Sequence, residues 1–175
     1  MTSEEINKLF RQKGLTLGSV ESFTGGLFAK EITSVPGASH FFKGALVTYA
    51  TEEKNRLLDI PYEDIDQYGV VSEQIAYQMA KKGQELLNVD VCISFTGNAG
   101  PSTMEGKPVG EIYIGLAYLN EVEVYPPGSM WMSLAPSSIA CVKISLTRRT
   151  IRASPAIVRN AFSSSVSMTC SSSSS

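Results

Sequence analysis

The sequence predicts an α/β layer fold, and three observations carry that prediction. Amphipathic helical segments alternate with short apolar segments through residues 1–119. The apolar run at 89–95 is nearly continuous, as in a strand covered on both faces. Two strand candidates, 15–20 and 89–95, run into turns built from hydroxyl residues and glycine.

Each element has a local reason. Residues 2–13 predict an amphipathic helix: Thr2 and Glu5 have capping-box spacing, Ile6, Leu9 and Phe10 share a face, and Gly14 supplies the stop. After the strand at 15–20, Glu21-Ser22-Phe23-Thr24-Gly25-Gly26 forms a turn into a helix over 27–33, ended by Pro36-Gly37. Residues 42–49 read as the next strand. Thr51 is expected to cap a helix over 52–58, with Glu52 and Glu53 well placed in its first turn. Residues 62–68 read as an acidic connector. Ser72 caps the clearest helix, in which Ile75, Ala76, Met79, Ala80, Gly83, Leu86 and Leu87 recur at three- and four-residue spacing. Residues 110–119 alternate as a strand, and because a loop precedes them an antiparallel pairing stays open. Beyond Asn120, Pro126-Pro127-Gly128 and Pro136-Ser137-Ser138 break any long element. A strand at 140–146 and a helix over 148–162, interrupted by Pro155, are expected there.

The length of 175 residues, with 43% hydrophobic and 18% charged, fits one domain with one core. We place that domain at 1–162 and a Ser-rich tail at 163–175. No apolar run approaches the ~20 residues that span a bilayer, so no membrane association is expected. No basic-then-apolar leader opens the chain, which points to the cytoplasm. The net charge of −2 hides a split: residues 1–123 carry −7 and residues 124–175, which hold no acid, carry +5. Fifteen of the 23 serines lie beyond residue 119. This remainder is modestly basic, and Trp131 and Phe162 are its interleaved aromatics, so a nucleic-acid partner is not expected. Cys92, Cys141 and Cys170 have no CxxC spacing, and His40 is the one histidine. Neither a disulfide framework nor a zinc site is therefore indicated, a multi-histidine metal centre is excluded, and no cofactor is expected.

Three segments could carry chemistry. In Ser22-Phe23-Thr24-Gly25-Gly26, glycines let the backbone turn sharply, and N–H groups at a helix start favour an anion or a developing oxyanion. The hydroxyl of Ser22 could be a nucleophile or a phosphate ligand, or it could merely cap the helix. Thr96-Gly97-Asn98-Ala99-Gly100-Pro101 repeats the pattern. If the strands before these turns are parallel neighbours, both turns lie at strand carboxyl ends, where open α/β sheets bind ligands. The third segment ends the strand at 42–49 in Tyr49 and continues through Thr51 to Lys54. With no spare histidine, a lysine whose pKa is lowered by burial is the available base for a serine nucleophile, and Tyr49 could relay a proton. The plain alternative is a solvated Lys54 beside a core tyrosine. Arg148 and Arg152, four apart, could hold a phosphate or form a solvated face.

These motifs occur in a telling order: Glu21-Ser22-Phe23-Thr24-Gly25-Gly26; Phe42, Gly44, Val47, Tyr49 and Lys54; Gly69, Val71, Ser72 and Glu73; then Thr96-Gly97-x-Ala99-Gly100-Pro101 with Lys107-Pro108-Val109-Gly110. Over residues 5–119 the chain resembles the CinA C-terminal domain family, which includes stand-alone nicotinamide mononucleotide deamidases. The resemblance implies a three-layer α/β/α sandwich with a mixed, mostly parallel sheet. It also implies hydrolysis of the carboxamide of nicotinamide mononucleotide to nicotinic acid mononucleotide and ammonia, in a stand-alone domain that forms a homo-oligomer, dimer or higher. By position, Ser22 is the implied nucleophile and Lys54 and Tyr49 its activating partners. Thr24, Gly25, Gly26, Thr96, Gly97, Gly100 and Arg148 are the implied substrate-binding residues. A nucleotide-binding regulatory module with little turnover is the alternative from another class. The chain departs from the family pattern at Phe23 (usually Cys), at Asn98 (usually Ile or Val) and at Leu146-Thr147, where Gly-Asp usually precedes the arginine.

Overall fold

The computed structural model describes residues 2–102 and 105–127. The strand at 140–146, the helix at 148–162, Arg148 and the boundary at 162 lie outside the described residues. In chain order the elements are α1 (Ser3–Lys13), β1 (Leu17–Glu21), α2 (Leu27–Thr33), a 3-10 turn (Ala38–His40), β2 (Phe42–Val47), α3 (Thr51–Leu58), α4 (Tyr62–Tyr68), α5 (Glu73–Leu87), β3 (Val91–Gly97), β4 (Ile112–Tyr118) and β5 (Glu121–Tyr125).

The capping signals act as read. Thr2 and Glu5 form a full capping box at the start of α1, and Gly14 closes it in the left-handed conformation (φ +65°). Ser72 Oγ accepts from the Ile75 N–H at the start of α5. Three elements depart from expectation, and one of them is β5, a strand that the sequence pattern does not predict. Thr51 is the first residue of α3 and Ala50 occupies the cap position, so the helix starts without a side-chain cap. Residues 62–68 are helical, not a connector: Ile65 is buried, and Glu63 and Asp64 sit in the first turn, where acids suit the helix dipole.

The sheet order is β2-β1-β3-β4-β5. β1 pairs in parallel with both β2 and β3, while β4 pairs antiparallel with β3 and β5. The sheet is mixed as expected, and four of its five strands share one direction. The open question at 110–119 resolves as antiparallel. From β1 the chain goes through α2 to β2 on one side, then returns past β1 to place β3 on the other. The sheet reverses its winding between β1 and β3, and the carboxyl ends of strands at such a switch point are where open α/β sheets bind ligands.

Alternation along the central strands makes the layers, because successive side chains point to opposite faces. Leu17, Val91, Ile93 and Phe95 face Ile6, Phe10, Phe28 and Ile32 of α1 and α2. Val20 and Cys92 face Leu58, Ile65, Ile75, Met79 and Ala80 of α3, α4 and α5. A sheet covered on both faces by helices is the three-layer sandwich.

The long helix α5 reaches the sheet through missing side chains. A Cβ at Gly83 would collide with Val20 and touch Cys92 Sγ at 3.0 Å. On an exposed helix, Gly→Ala gains up to about 1 kcal/mol in propensity. Here overpacking against β1, worth roughly 1–3 kcal/mol, should win. We expect Gly83→Ala to lower the urea unfolding midpoint at constant m-value; a raised midpoint would contradict the packing.

Candidate active site

Three strand ends deliver the site. At the end of β1, Ser22 leaves the sheet with its N–H bonded to Phe95 O of β3 at 3.0 Å. At the end of β2, Thr48 donates its N–H to Glu21 O at 2.8 Å. From the second half-turn of α3, Lys54 reaches back between them. Its Nζ lies 3.1 Å from Ser22 Oγ and 2.9 Å from Thr48 O. Lys54 is 1% exposed and Ser22 is 8% exposed, so this pair is sealed from solvent.

That burial sets the chemistry. Desolvation penalises the charged amine and pulls Lys54 down to about 8, against the carboxylates of Glu105 and Glu52, which pull the other way. An amine near neutrality, within hydrogen-bond reach of a serine hydroxyl, has the chemistry to accept its proton. Two further hydroxyls, Thr24 Oγ1 and Thr48 Oγ1, are buried and without a hydrogen-bond partner among the described residues.

The glycine turn has a different economy from the one its sequence suggests. Gly25 and Gly26 both take positive φ, +59° and +96°, which a residue with a side chain rarely adopts. Their amides are already engaged: the Gly25 N–H donates to Ser22 O at 3.0 Å and the Gly26 N–H to Glu21 Oε2 at 3.0 Å. The anion at the start of α2 is thus the protein's own carboxylate, and these two amides do not serve as the expected oxyanion or phosphate donors. The Phe23 and Thr24 N–H groups make no hydrogen bond among the described residues.

Of the remaining expected residues, Thr96 is 1% exposed, and its hydroxyl donates to Val70 O at 2.5 Å, tying the end of β3 to the α4–α5 junction. A Cβ at Gly97 would lie 2.9 Å from Glu111 O. Gly100 has φ +84° and donates its N–H to Asn98 Oδ1 at 2.9 Å. Tyr49 stands apart: it is 73% exposed and makes no hydrogen bond to Ser22 or Lys54 among the described residues, so the direct proton relay expected of it is not formed. His40 sits in the 3-10 turn, away from these strand ends.

Sequence reasoning missed three contributors. Glu21 enters the sequence pattern only as part of a motif, yet it is fully buried and accepts three N–H bonds. A carboxylate ending an otherwise apolar buried strand was the available signal. The carbonyl of Thr48 left no mark in sequence. Asn98 has a structural explanation: besides accepting from Gly100, its Nδ2 donates to Ser102 O at 3.0 Å and Lys107 O at 3.3 Å, so the polar side chain organises the loop after β3. No group of three His, Cys, Asp or Glu side chains suited to a metal occurs among the described residues, and no helix there is long and apolar enough to cross a membrane.

These features define an α/β sandwich that holds a buried serine–lysine pair at the carboxyl edge of its parallel strands. The chain belongs to the CinA C-terminal domain family, whose model matches residues 1–127. It is 48% identical over 115 residues to a competence-damage inducible protein of Limosilactobacillus fermentum, a match covering 66% of this chain and 28% of that protein. It is 44% identical over 123 residues to the protein of that name in Listeria welshimeri, covering 70% and 30%. The chain therefore spans under a third of the length of these curated relatives. Among solved structures, the competence damage-inducible protein A of Klebsiella pneumoniae superposes with a TM-score of 0.69 at 26% identity, covering 70% of this chain and 77% of that one. The competence/damage inducible protein CihA of Agrobacterium tumefaciens does so with a TM-score of 0.68 at 31% identity, covering 71% and 76%.

The buried amine has a thermodynamic signature. Lys54 holds its proton less tightly folded than unfolded, so between about 8 and 10.5 the unfolded chain binds more protons and stability rises with pH. Below about 8 the whole penalty is present. The gain across the window should approach about 3 kcal/mol relative to a Lys54→Met reference. Referencing to that variant cancels Cys92, which burial pushes up to about 12 and which gives the opposite slope above its ordinary pKa. Urea unfolding of both proteins from pH 7.5 to 10.5 measures the difference; parallel curves would contradict a desolvated Lys54.

Proposed function

We propose that the chain is an amidohydrolase that converts nicotinamide mononucleotide to nicotinic acid mononucleotide and ammonia through a covalent intermediate on Ser22. The observation that carries this reading is the sealed contact between Lys54 Nζ and Ser22 Oγ. A binding module has no need to place an amine out of water at the cost of its charge. The choice of nicotinamide mononucleotide rests on the family resemblance, and the covalent chemistry on the residues themselves.

Neutral Lys54 has two N–H donors and one lone pair. Thr48 O takes one donor, which helps hold the lone pair toward Ser22 Oγ. As Ser22 attacks the carboxamide carbon, Lys54 accepts the hydroxyl proton, and the carbonyl oxygen becomes an oxyanion. The Phe23 and Thr24 N–H groups are the donors left for it, each worth roughly 2.7–4 kcal/mol when such a donor is removed from comparable sites. The Thr24 hydroxyl stands beside them, at the turn. Lys54 then returns its proton to the departing nitrogen, the C–N bond breaks, and ammonia leaves an ester on Ser22. Water, deprotonated by Lys54, attacks that ester and releases the carboxylic acid and the free hydroxyl. We assign Tyr49, exposed just beyond β2, to meet substrate from the solvent side. Arg148 is the proposed phosphate contact, and we assign the chain to a cytoplasmic homo-oligomer.

Two measurements test this reading. Ammonia release from nicotinamide mononucleotide should fall roughly a thousandfold or more in Ser22→Ala, and roughly a hundredfold or more in Lys54→Met. Release near the wild-type rate in Ser22→Ala would remove the nucleophile. The profile of kcat/KM against pH should climb tenfold per unit below about 8 and level above it, because only unprotonated Lys54 can accept the proton. A flat profile from pH 6 to 9 would exclude Lys54 as the base.

A further inference from the structure

The turn that carries Ser22 is built around a carboxylate that the mechanism above does not use. Glu21 is 0% exposed. Its Oε2 accepts from the Gly26 N–H at 3.0 Å and the Phe28 N–H at 3.1 Å, and its Oε1 from the Ala29 N–H at 2.9 Å. Ser19 Oγ adds a longer contact at 3.4 Å. All of these partners are N–H or O–H dipoles. The helix it serves, α2, has no side-chain cap of its own, and Gly26 at the cap position carries no side chain that could supply one.

An ordinary cap sits at the helix start and bonds two or three residues ahead. Glu21 instead reaches five to eight residues ahead from the last position of a central strand. It therefore closes a loop whose intervening residues are Ser22, Phe23, Thr24 and Gly25. Its main chain extends the same bracing toward the base: Glu21 O accepts from the Thr48 N–H at 2.8 Å, and Thr48 O accepts from Lys54 Nζ at 2.9 Å. One residue thus links the nucleophile's turn to the seat of the lysine.

We propose that Glu21 is a positioning residue that sets the approach of Ser22 Oγ to Lys54 Nζ and turns the Phe23 and Thr24 N–H groups toward the oxyanion. The inference rests on the serine–lysine reading above. It goes beyond that reading in giving a charged, buried, non-reacting residue a role in rate. Only a two-oxygen acceptor can meet three converging N–H groups, so glutamine in its place keeps the volume but offers one oxygen and turns a donor against donors. The turn must then shift, and small misplacements of a reacting pair are costly in rate.

The test uses a fluorophosphonate, on which Ser22 Oγ displaces fluoride to form a phosphorus ester, with the hydroxyl proton passing to Lys54. The full chain is labelled as wild type, Ser22→Ala, Glu21→Gln and Glu21→Asp, and followed by mass to completion. Aspartate keeps the charge α2 needs but withdraws the carboxylate by one methylene, which guards against a glutamine variant that does not fold. In whichever Glu21 variant folds, the labelling rate constant should fall tenfold or more. The final stoichiometry should stay near that of wild type and the thermal midpoint should confirm a folded protein. A role confined to stability would lower the stoichiometry and leave the rate constant of the labelled fraction unchanged, and that result would overturn the proposal. Wild-type rate constants in a folded Glu21 variant would overturn it too, while leaving the nucleophile standing. Absence of label on wild-type Ser22 would instead overturn the serine–lysine reading, and this inference with it.

Discussion

Removing an amine from water is among the costlier things a small domain can do, and this one does it with Lys54. An unpaired buried cation is strongly disfavoured, so the group either finds carboxylates or gives up its proton. Lys54 has no carboxylate in hydrogen-bond contact; its bonds are to a hydroxyl and a carbonyl. Glu105 and Glu52 act on it only through space and do not restore its ordinary pKa. The surrounding architecture can be understood as what makes that arrangement tolerable. β2 ends early enough for the Thr48 carbonyl to accept from the amine, α3 starts at once to bring Lys54 back, and the turn after β1 presents Ser22.

The sheet topology explains why these pieces meet. β1 lies between β2 and β3, parallel to both, so three strand ends open on the same edge. Each supplies something different: the Ser22 hydroxyl from β1, a carbonyl from β2, and the Thr96 anchor and following loop from β3. The antiparallel half, β4 and β5, contributes no side chain to the Ser22–Lys54 contact among the described residues. It extends the platform, and α5 packs closely across the sheet because Gly83 presents no side chain to Val20 and Cys92 of β1 and β3, and Gly115 of β4 none to the α5 backbone at Ala76.

Much of this was legible in the residues, and what was not has physical causes. Helices with strong periodicity and side-chain caps, α1 and α5, were readable because their signals are local. Helix α4 was missed because Tyr62–Tyr68 buries only Ile65 and offers almost no pattern. Strand β5 was missed because it is a short edge strand of alternating Glu and Val beside two prolines, which reads as a loop. Ser22 and Lys54 could be nominated by motif and by elimination of other bases. Their contact spans 32 residues and depends on strand order, which no local pattern encodes. The same holds for Thr96, whose hydroxyl serves Val70 26 residues away. Tyr49 was nominated with them by its place at the strand end, and the backbone turns it out to solvent. Glu21 was the instructive omission: a charge at the end of a buried strand has to be satisfied, and its partners are the N–H groups thought to be waiting for a ligand.

The central claim is that Lys54 is a desolvated amine held at the nucleophile, and its own titration tests that most directly. With lysine labelled at 13Cε, the Lys54 resonance, assigned by its loss in Lys54→Met, can be followed by NMR from pH 6 to 12. A midpoint near 8, set apart from the other lysines, is the predicted result. A midpoint near 10.5, moving with the solvated lysines, would contradict the account.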